Sequence, residues 1–188
     1  MVLMIGGASC TGKTLLAGRL ARRWGISAFS QDHLKMGLIR GWPDCGFTAC
    51  SADGEIAARL APVLTGIART CLENEQDLIL EGCYFPPQAA ALLQKEAPGA
   101  FFALYLALSE EYLRSNFETG LLAHRNAAER RRFPEDRQLA CFVEANRLVR
   151  QQCRRAGVRC LVIRREYRAE LEAILPELDA WRAAQGGE

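Results

Sequence analysis

The plainest chemistry in this chain of 188 residues lies in the run Gly7-Ala8-Ser9-Cys10-Thr11-Gly12-Lys13-Thr14. It fits the pattern G-x-x-x-x-G-K-[ST] in full. Glycines at 7 and 12 let the backbone curl so that successive N–H groups face one hollow, a geometry suited to phosphate oxygens. A helix opening at Lys13 adds the positive end of its dipole to that hollow. Lys13 is then expected to reach the β- and γ-phosphates of a nucleoside triphosphate, with the Thr14 hydroxyl as a ligand of Mg²⁺. A plain tight turn would not require Lys-Thr after the glycine. Residues Gly7 to Thr14 are therefore expected to bind nucleotide as a unit, with Cys10 a small tolerated loop residue whose redox role stays open.

Such a loop works only between a strand and a helix, and the flanking sequence supplies both. Val2–Ile5 is a continuous apolar run, as in a strand buried on both faces of a parallel sheet. Lys13–Trp24 carries Leu15, Leu16, Leu20 and Trp24 at helical spacing, with Gly25 as a stop. Ile26–Ser30 reads as a second strand and residues 31–52 as mostly irregular, with a short helix near Leu34–Ile39. A helix from Asp53 to about Glu73 follows, with Asp53 as N-cap and a kink or break at Pro62. Asp77–Glu81 is a third strand ending at Gly82, and Pro86-Pro87 opens a helix to about Lys95. Phe101–Ala107 is a fourth strand, after which Ser109 caps a helix with Glu110 and Glu111 in its first turn. Residues 112–156 read as helical with a break near Phe133-Pro134, Val158–Ile163 as a fifth strand, and Tyr167–Ala184 as one final helix. This alternation predicts a single α/β domain over residues 1–188, three-layered around a parallel sheet with right-handed crossovers.

The Asn-Lys-x-Asp and Asp-x-x-Gly motifs of a GTPase are absent from the sequence, and the third strand ends in one carboxylate, Glu81, before Gly82. With these features the chain resembles the small P-loop kinases of the adenylate kinase, shikimate kinase and chloramphenicol phosphotransferase type. The likeness spans essentially the whole chain. Ser30-Gln31-Asp32-His33-Leu34-Lys35-Met36-Gly37-Leu38-Ile39-Arg40-Gly41 and Leu80-Glu81-Gly82-Cys83-Tyr84 look like bacterial proteins known as 2-phosphoglycerate kinase or adenylate-kinase-like. The resemblance implies a P-loop NTPase fold with strand order 2-3-1-4-5, a helical lid over residues 112–137, and ATP with Mg²⁺. It also implies phosphoryl transfer to a hydroxyl of a small, anionic acceptor.

The resemblance also assigns residues. Asp32, just past the second strand, matches the acid that orients the acceptor hydroxyl and takes its proton; a helix cap is the alternative reading. Glu81 is expected to hold Mg²⁺ through water or to orient the acceptor, with Gly82 beside it. His33, Lys35 and Arg40 flank the expected acceptor pocket, the two cations suiting an anionic acceptor. Arginines of a lid stabilise the transferring phosphoryl group. Arg125 and Arg132, seven apart on one helical face, and then Arg137 are the first candidates, and Arg164 falls where relatives wall the adenine ring. Cys83-Tyr84-Phe85-Pro86 replaces the Gly-Phe-Pro-Arg of adenylate kinases, which argues against an AMP acceptor.

Charge and cysteine content bound the remaining possibilities. The net charge is +2, with 21 arginines and only 3 lysines, a bias that a GC-rich genome produces by itself. Residues 109–168 carry 14 basic against 8 acidic side chains, so the basic excess falls on the expected lid. No apolar run approaches the roughly 20 residues of a membrane span, and no secretory signal pattern opens the sequence, so a cytoplasmic location is expected. The eight cysteines contain no Cys-x-x-Cys pair, and the lone Cys45/Cys50 spacing has no second half for zinc. A nucleoside monophosphate kinase, a polynucleotide 5′-hydroxyl kinase and a non-catalytic ATP-binding module stay open as alternatives. Nucleic acid is the least expected partner.

Overall fold

A computed structural model describes residues 1–42, 44–124 and 138–185. Five strands form one wholly parallel sheet in the order β2-β3-β1-β4-β5: β1 (Val2–Gly7), β2 (Ser27–Ser30), β3 (Leu78–Glu81), β4 (Phe101–Leu108) and β5 (Arg159–Ile163). This is the expected α/β architecture and strand order. Every residue of β1 is buried, as its unbroken apolar run requires at the centre of a parallel sheet.

Alternation along β1 divides the core in two. Val2 and Met4 face α3 (Asp53–Glu73), α4 (Pro87–Glu96) and α6 (Leu139–Ala156), through Leu60, Leu64, Leu93 and Cys153. Leu3 and Ile5 face α1 (Lys13–Trp24), α7 (Tyr167–Ala173) and α8 (Leu175–Ala183), through Leu16, Leu20, Leu171 and Leu178. Each of these leucines except the slightly exposed Leu171 is fully buried and contributes about 1.5–3 kcal/mol of transfer free energy. A third cluster of Leu108, Leu113, Leu121, Phe142 and Ile163 packs beyond the ends of β4 and β5. It supports α5 (Glu110–Asn116) and the π-helical turn Phe117–Leu122 that follows.

Local signals set most boundaries. Gly25 ends α1 in the left-handed conformation (φ 68°), and Ser109 caps α5 by accepting from the Tyr112 amide at 3.0 Å. Four expectations are corrected. The segment after β2 is a full helix, α2 (Gln31–Gly41), rather than a short one inside a loop. Ala52 is the N-cap of α3, so Asp53 is the first residue within the helix rather than its cap. Pro62 does not break α3, because it and Ala58, whose carbonyl loses its partner, lie on the exposed face where water replaces the bond. The final helix is two: α7 ends at Ala173 and α8 restarts with Pro176 in its first turn, where a missing N–H costs nothing. The expected break near Phe133-Pro134 lies outside the described residues.

One buried polar residue ties β4 to the layer above it. Asn146 of α6 accepts from the Leu108 amide at 2.7 Å and donates to the Phe142 carbonyl at 2.8 Å. Asn146→Ala is expected to cost roughly 1–3 kcal/mol, because a buried strand-end N–H loses its partner. Urea unfolding would show it as a lower midpoint at constant slope; an unchanged midpoint contradicts the assignment.

Candidate active site

Strand register brings the chemistry together. In a parallel sheet the carboxyl ends of all strands open on one crevice. Glu81 is level with Ile5 of β1 on one side and with Ser30 of β2 on the other. The Gly7–Thr14 loop, the Glu81 carboxylate and the first turn of α2 therefore emerge side by side. A cleft of about 640 Å³ occupies that crevice, within the usual range for small-ligand sites.

The loop has the expected curl. Gly7 (φ 131°), Cys10 (φ 59°) and Gly12 (φ 87°) take positive φ values. At Gly12 a Cβ would also run into the Tyr167 hydroxyl, so glycine is required there twice over. The Ala8 carbonyl gathers two donors, the Lys13 ammonium at 2.6 Å and the Thr11 hydroxyl at 2.9 Å. Lys13 is thereby held, largely buried, across the loop. The Thr14 hydroxyl donates to the buried Glu81 carboxylate at 3.0 Å. These two oxygen donors suit a hard cation such as Mg²⁺, which takes few protein ligands and completes its shell with phosphate and water.

Strand order gives the cleft two ends. On the side of β2 and β3 it is lined by Asp32, Lys35, Asp53, Cys83 and Tyr84. On the side of β5 it is lined by Tyr167, Arg168 and Leu171 of α7, together with Arg19 of α1. Leu108 lines it from the end of β4, and Tyr112, Gly120, Leu121 and His124 from α5 and the turns after it. Asp32 is not a helix cap: it stands in the first turn of α2 and pairs with Lys35 at 2.6 Å. Lys35 also donates to the Tyr84 hydroxyl at 2.7 Å.

The candidates from sequence do not all converge. Ser9, Cys10, Gly12, Lys13, Thr14, Asp32, Lys35 and Glu81 line the cleft, with Ala8 and Thr11 bonded into the loop behind them. Gly82 lies beneath the cleft, packed on Gln31 with its amide donating to the Ile5 carbonyl at 3.1 Å. His33 and Arg40 are exposed on the part of α2 turned away from the cleft, and neither lines it. Arg164 is also exposed and outside it, whereas Arg168, one turn further on, lines it. Arg125, Arg132 and Arg137 lie outside the described residues.

Sequence reasoning missed five contributors. Gln31, fully buried, accepts from the Tyr84 amide at 2.7 Å and so fixes the chain after β3 to the start of α2. Tyr84 stood only as a departure from a motif, and Asp53 only as a cap. Tyr167 donates to the Thr11 carbonyl at 3.2 Å, bracing the phosphate loop from α7. The Glu170 carboxylate holds the turn before α7 by accepting from the amides of Arg164, Arg165 and Glu166.

No protein-family model matches the sequence, and no curated protein matches it. Solved structures do match along nearly the whole chain. Shikimate kinase from Aquifex aeolicus vf5 superposes with a TM-score of 0.52 at 15% identity, covering 100% of both chains. A gluconokinase from Sinorhizobium meliloti 1021 gives 0.52 at 17% identity, covering 99% of this chain and 97% of that one. Deoxyadenosine kinase from M. mycoides gives 0.52 at 10% identity, covering 96% and 100%. At these identities the likeness establishes the fold: the chain has the fold of the P-loop kinases. Among the described residues no helix is long and apolar enough to cross a membrane.

All four tyrosines are shifted upward by burial, Tyr167 to about 12, and Tyr84, Tyr105 and Tyr112 in the same direction. The folded protein keeps these phenols protonated where the unfolded chain ionises at about pH 10. Their contribution to stability is complete below pH 10 and declines as pH rises toward 12. Titration of tyrosinate absorbance is expected to show no group ionising at the ordinary value until unfolding begins. A tyrosine titrating normally in the folded state contradicts this burial.

Proposed function

We propose that the protein is an ATP- and Mg²⁺-dependent kinase that transfers the γ-phosphoryl group to a hydroxyl of a small acceptor. The observation that carries this reading is the Asp32 carboxylate lining the same cleft as Lys13 and Thr14, beyond the phosphate loop. A phosphate acceptor would need no such base; an alcohol does. The kinase fold of the structural neighbours supports the same class. None of the three neighbours named above is a 2-phosphoglycerate kinase, and that acceptor is not carried forward.

The residues divide the work as follows. Loop amides and the α1 N-terminus hold the phosphates, and Lys13 exchanges the Ala8 carbonyl for β/γ oxygens, adding charge where it develops in the transition state. Thr14 and Glu81 are the residues that would hold Mg²⁺, which supplies neutralisation of the phosphate charge when bound. Asp32, fixed through one oxygen by Lys35, presents the other to the acceptor hydroxyl and takes its proton as the new P–O bond forms and the bond from the γ-phosphorus to the β,γ-bridging oxygen breaks, ADP leaving. Arg168 and Arg19 serve the nucleotide end in place of Arg164. Arg125, Arg132 and Arg137 are proposed as lid arginines on their sequence spacing alone. Tyr112, Gly120 and His124 make the described base of that lid.

Asp32→Asn keeps the shape of the site and removes the base. Turnover is expected to fall by roughly 10²–10⁴, with ATP affinity within about twofold of the parent, since no loop contact changes. Lys13→Ala is expected to weaken ATP binding itself. Both are read by equilibrium binding of a labelled ATP analogue and by transfer of labelled phosphate to alcohols. Undiminished transfer in Asp32→Asn would refute the base assignment, and ATP binding without transfer to any alcohol would point to a non-catalytic nucleotide module.

A further inference from the structure

We infer that Tyr84 is a positioning residue for the transfer: its hydroxyl anchors Lys35, and Lys35 in turn orients the Asp32 carboxylate toward the acceptor. This role deepens the kinase reading and rests on it. A ring of contacts between the first turn of α2 and the chain leaving β3 carries it. The Lys35 ammonium donates to Asp32 Oδ1 at 2.6 Å and to the Tyr84 hydroxyl at 2.7 Å. The Tyr84 amide donates to the Gln31 side-chain carbonyl at 2.7 Å, and Gln31 is the residue before Asp32. Tyr84 therefore grips the turn that bears the carboxylate twice, once through its main chain and once through its side chain.

The ring is rigid where it needs to be. Gln31 is fully buried, and Gly82 packs on it so closely that a Cβ there would lie 2.6 Å from the Gln31 side chain. Tyr84 is buried too, and burial keeps its phenol protonated. Its hydroxyl is thus a neutral anchor, which leaves the charge of the ammonium to Asp32. Helix geometry alone would not hold that charge in place. A pair three residues apart orders itself weakly, because the lysine stem is flexible and its head is a compact point charge. A second partner on another element removes that freedom. The Lys35 side chain keeps 14% of its surface exposed and that of Asp32 keeps 36%, so an incoming acceptor meets the carboxylate more readily than the ammonium. The contact with an anionic acceptor expected of Lys35 gives way to this role.

Tyr84→Phe keeps the ring that packs in the core and removes only the hydroxyl. Transfer of labelled phosphate from ATP is measured on glucitol, gluconate, glycerate and adenosine, and kinetics are followed on the compound turned over fastest. Tyr84→Phe is expected to lower kcat about three- to thirtyfold, with KM for acceptor and ATP within about twofold. Lys35→Met is expected to lower kcat by at least as much. Adding Tyr84→Phe to Lys35→Met is then expected to change kcat by less than about twofold, since the hydroxyl has no ammonium left to hold. A hydroxyl that only supports the fold would act equally in both backgrounds. Melting curves establish that each variant is folded; if Tyr84→Phe is not, Lys35→Met decides through its separate effects on kcat and KM. Unchanged kcat in folded Tyr84→Phe, or an equal loss on adding it to Lys35→Met, overturns the inference and leaves the kinase reading standing. So does a Lys35→Met protein that raises acceptor KM at constant kcat. Transfer to none of the four compounds by the parent protein, with ATP bound at equilibrium, overturns both.

Discussion

The parallel pairing that sets Glu81 level with both Ile5 and Ser30 is the constraint on which the site depends. A parallel ladder has one polarity, so the strands must end together on one edge. Once β1 is buried on both faces, the polar chain leaving it has nowhere to go except that edge. The phosphate loop, the Glu81 carboxylate and the turn into α2 then share one rim because backbone hydrogen bonds hold them there. A slip of one residue between β1 and β3 would turn Glu81 to the opposite face and part it from Thr14. Site geometry and sheet register are here one problem.

A second level of control lies beneath the rim, in uncharged polar groups with fixed partners. Gln31 holds the Tyr84 amide, the Tyr105 hydroxyl donates to the Phe85 carbonyl at 2.8 Å, and Tyr167 reaches the Thr11 carbonyl. Each satisfies a backbone group that a loop would otherwise leave stranded. Neutral hydrogen bonds suit this task because they survive burial without the desolvation cost of an ion pair. Apart from Asp32–Lys35 in the cleft, ion pairs such as Arg69–Glu96 and Arg147–Glu144 lie on the surface, where their contribution is small.

What could be read beforehand follows from how local each feature is. β1, the loop and α1 were legible because an apolar run, two glycines and a helical stripe sit within two dozen residues. Asp32 and Glu81 were legible because strand ends are local and a fold rule carries them to one crevice. Gln31, Asp53, Tyr84 and Tyr167 were not, since their roles arise from partners far along the chain: Gln31 meets Tyr84 across 53 positions and Tyr167 meets Thr11 across 156. The length of α2 was missed because its pattern is half apolar and half polar, with Gln31 its one buried residue. The split between α7 and α8 was locally readable in Pro176, yet the apolar stripe running across it suggested one helix.

The contact between Tyr167 and Thr11 also has a meaning in time. The phosphate loop is complete in sequence by residue 14, but α1 packs against α7 and α8, with Asp179 binding both Arg23 and Trp24. During synthesis the loop is made early and its frame late. Contacts of such sequence separation form slowly, since loop closure must precede any gain from them. A nascent chain that has passed β4 would thus hold a full nucleotide-binding motif without the brace that shapes it. The braced shape of the loop, on this view, is a property the chain acquires near the end of its folding rather than one it begins with.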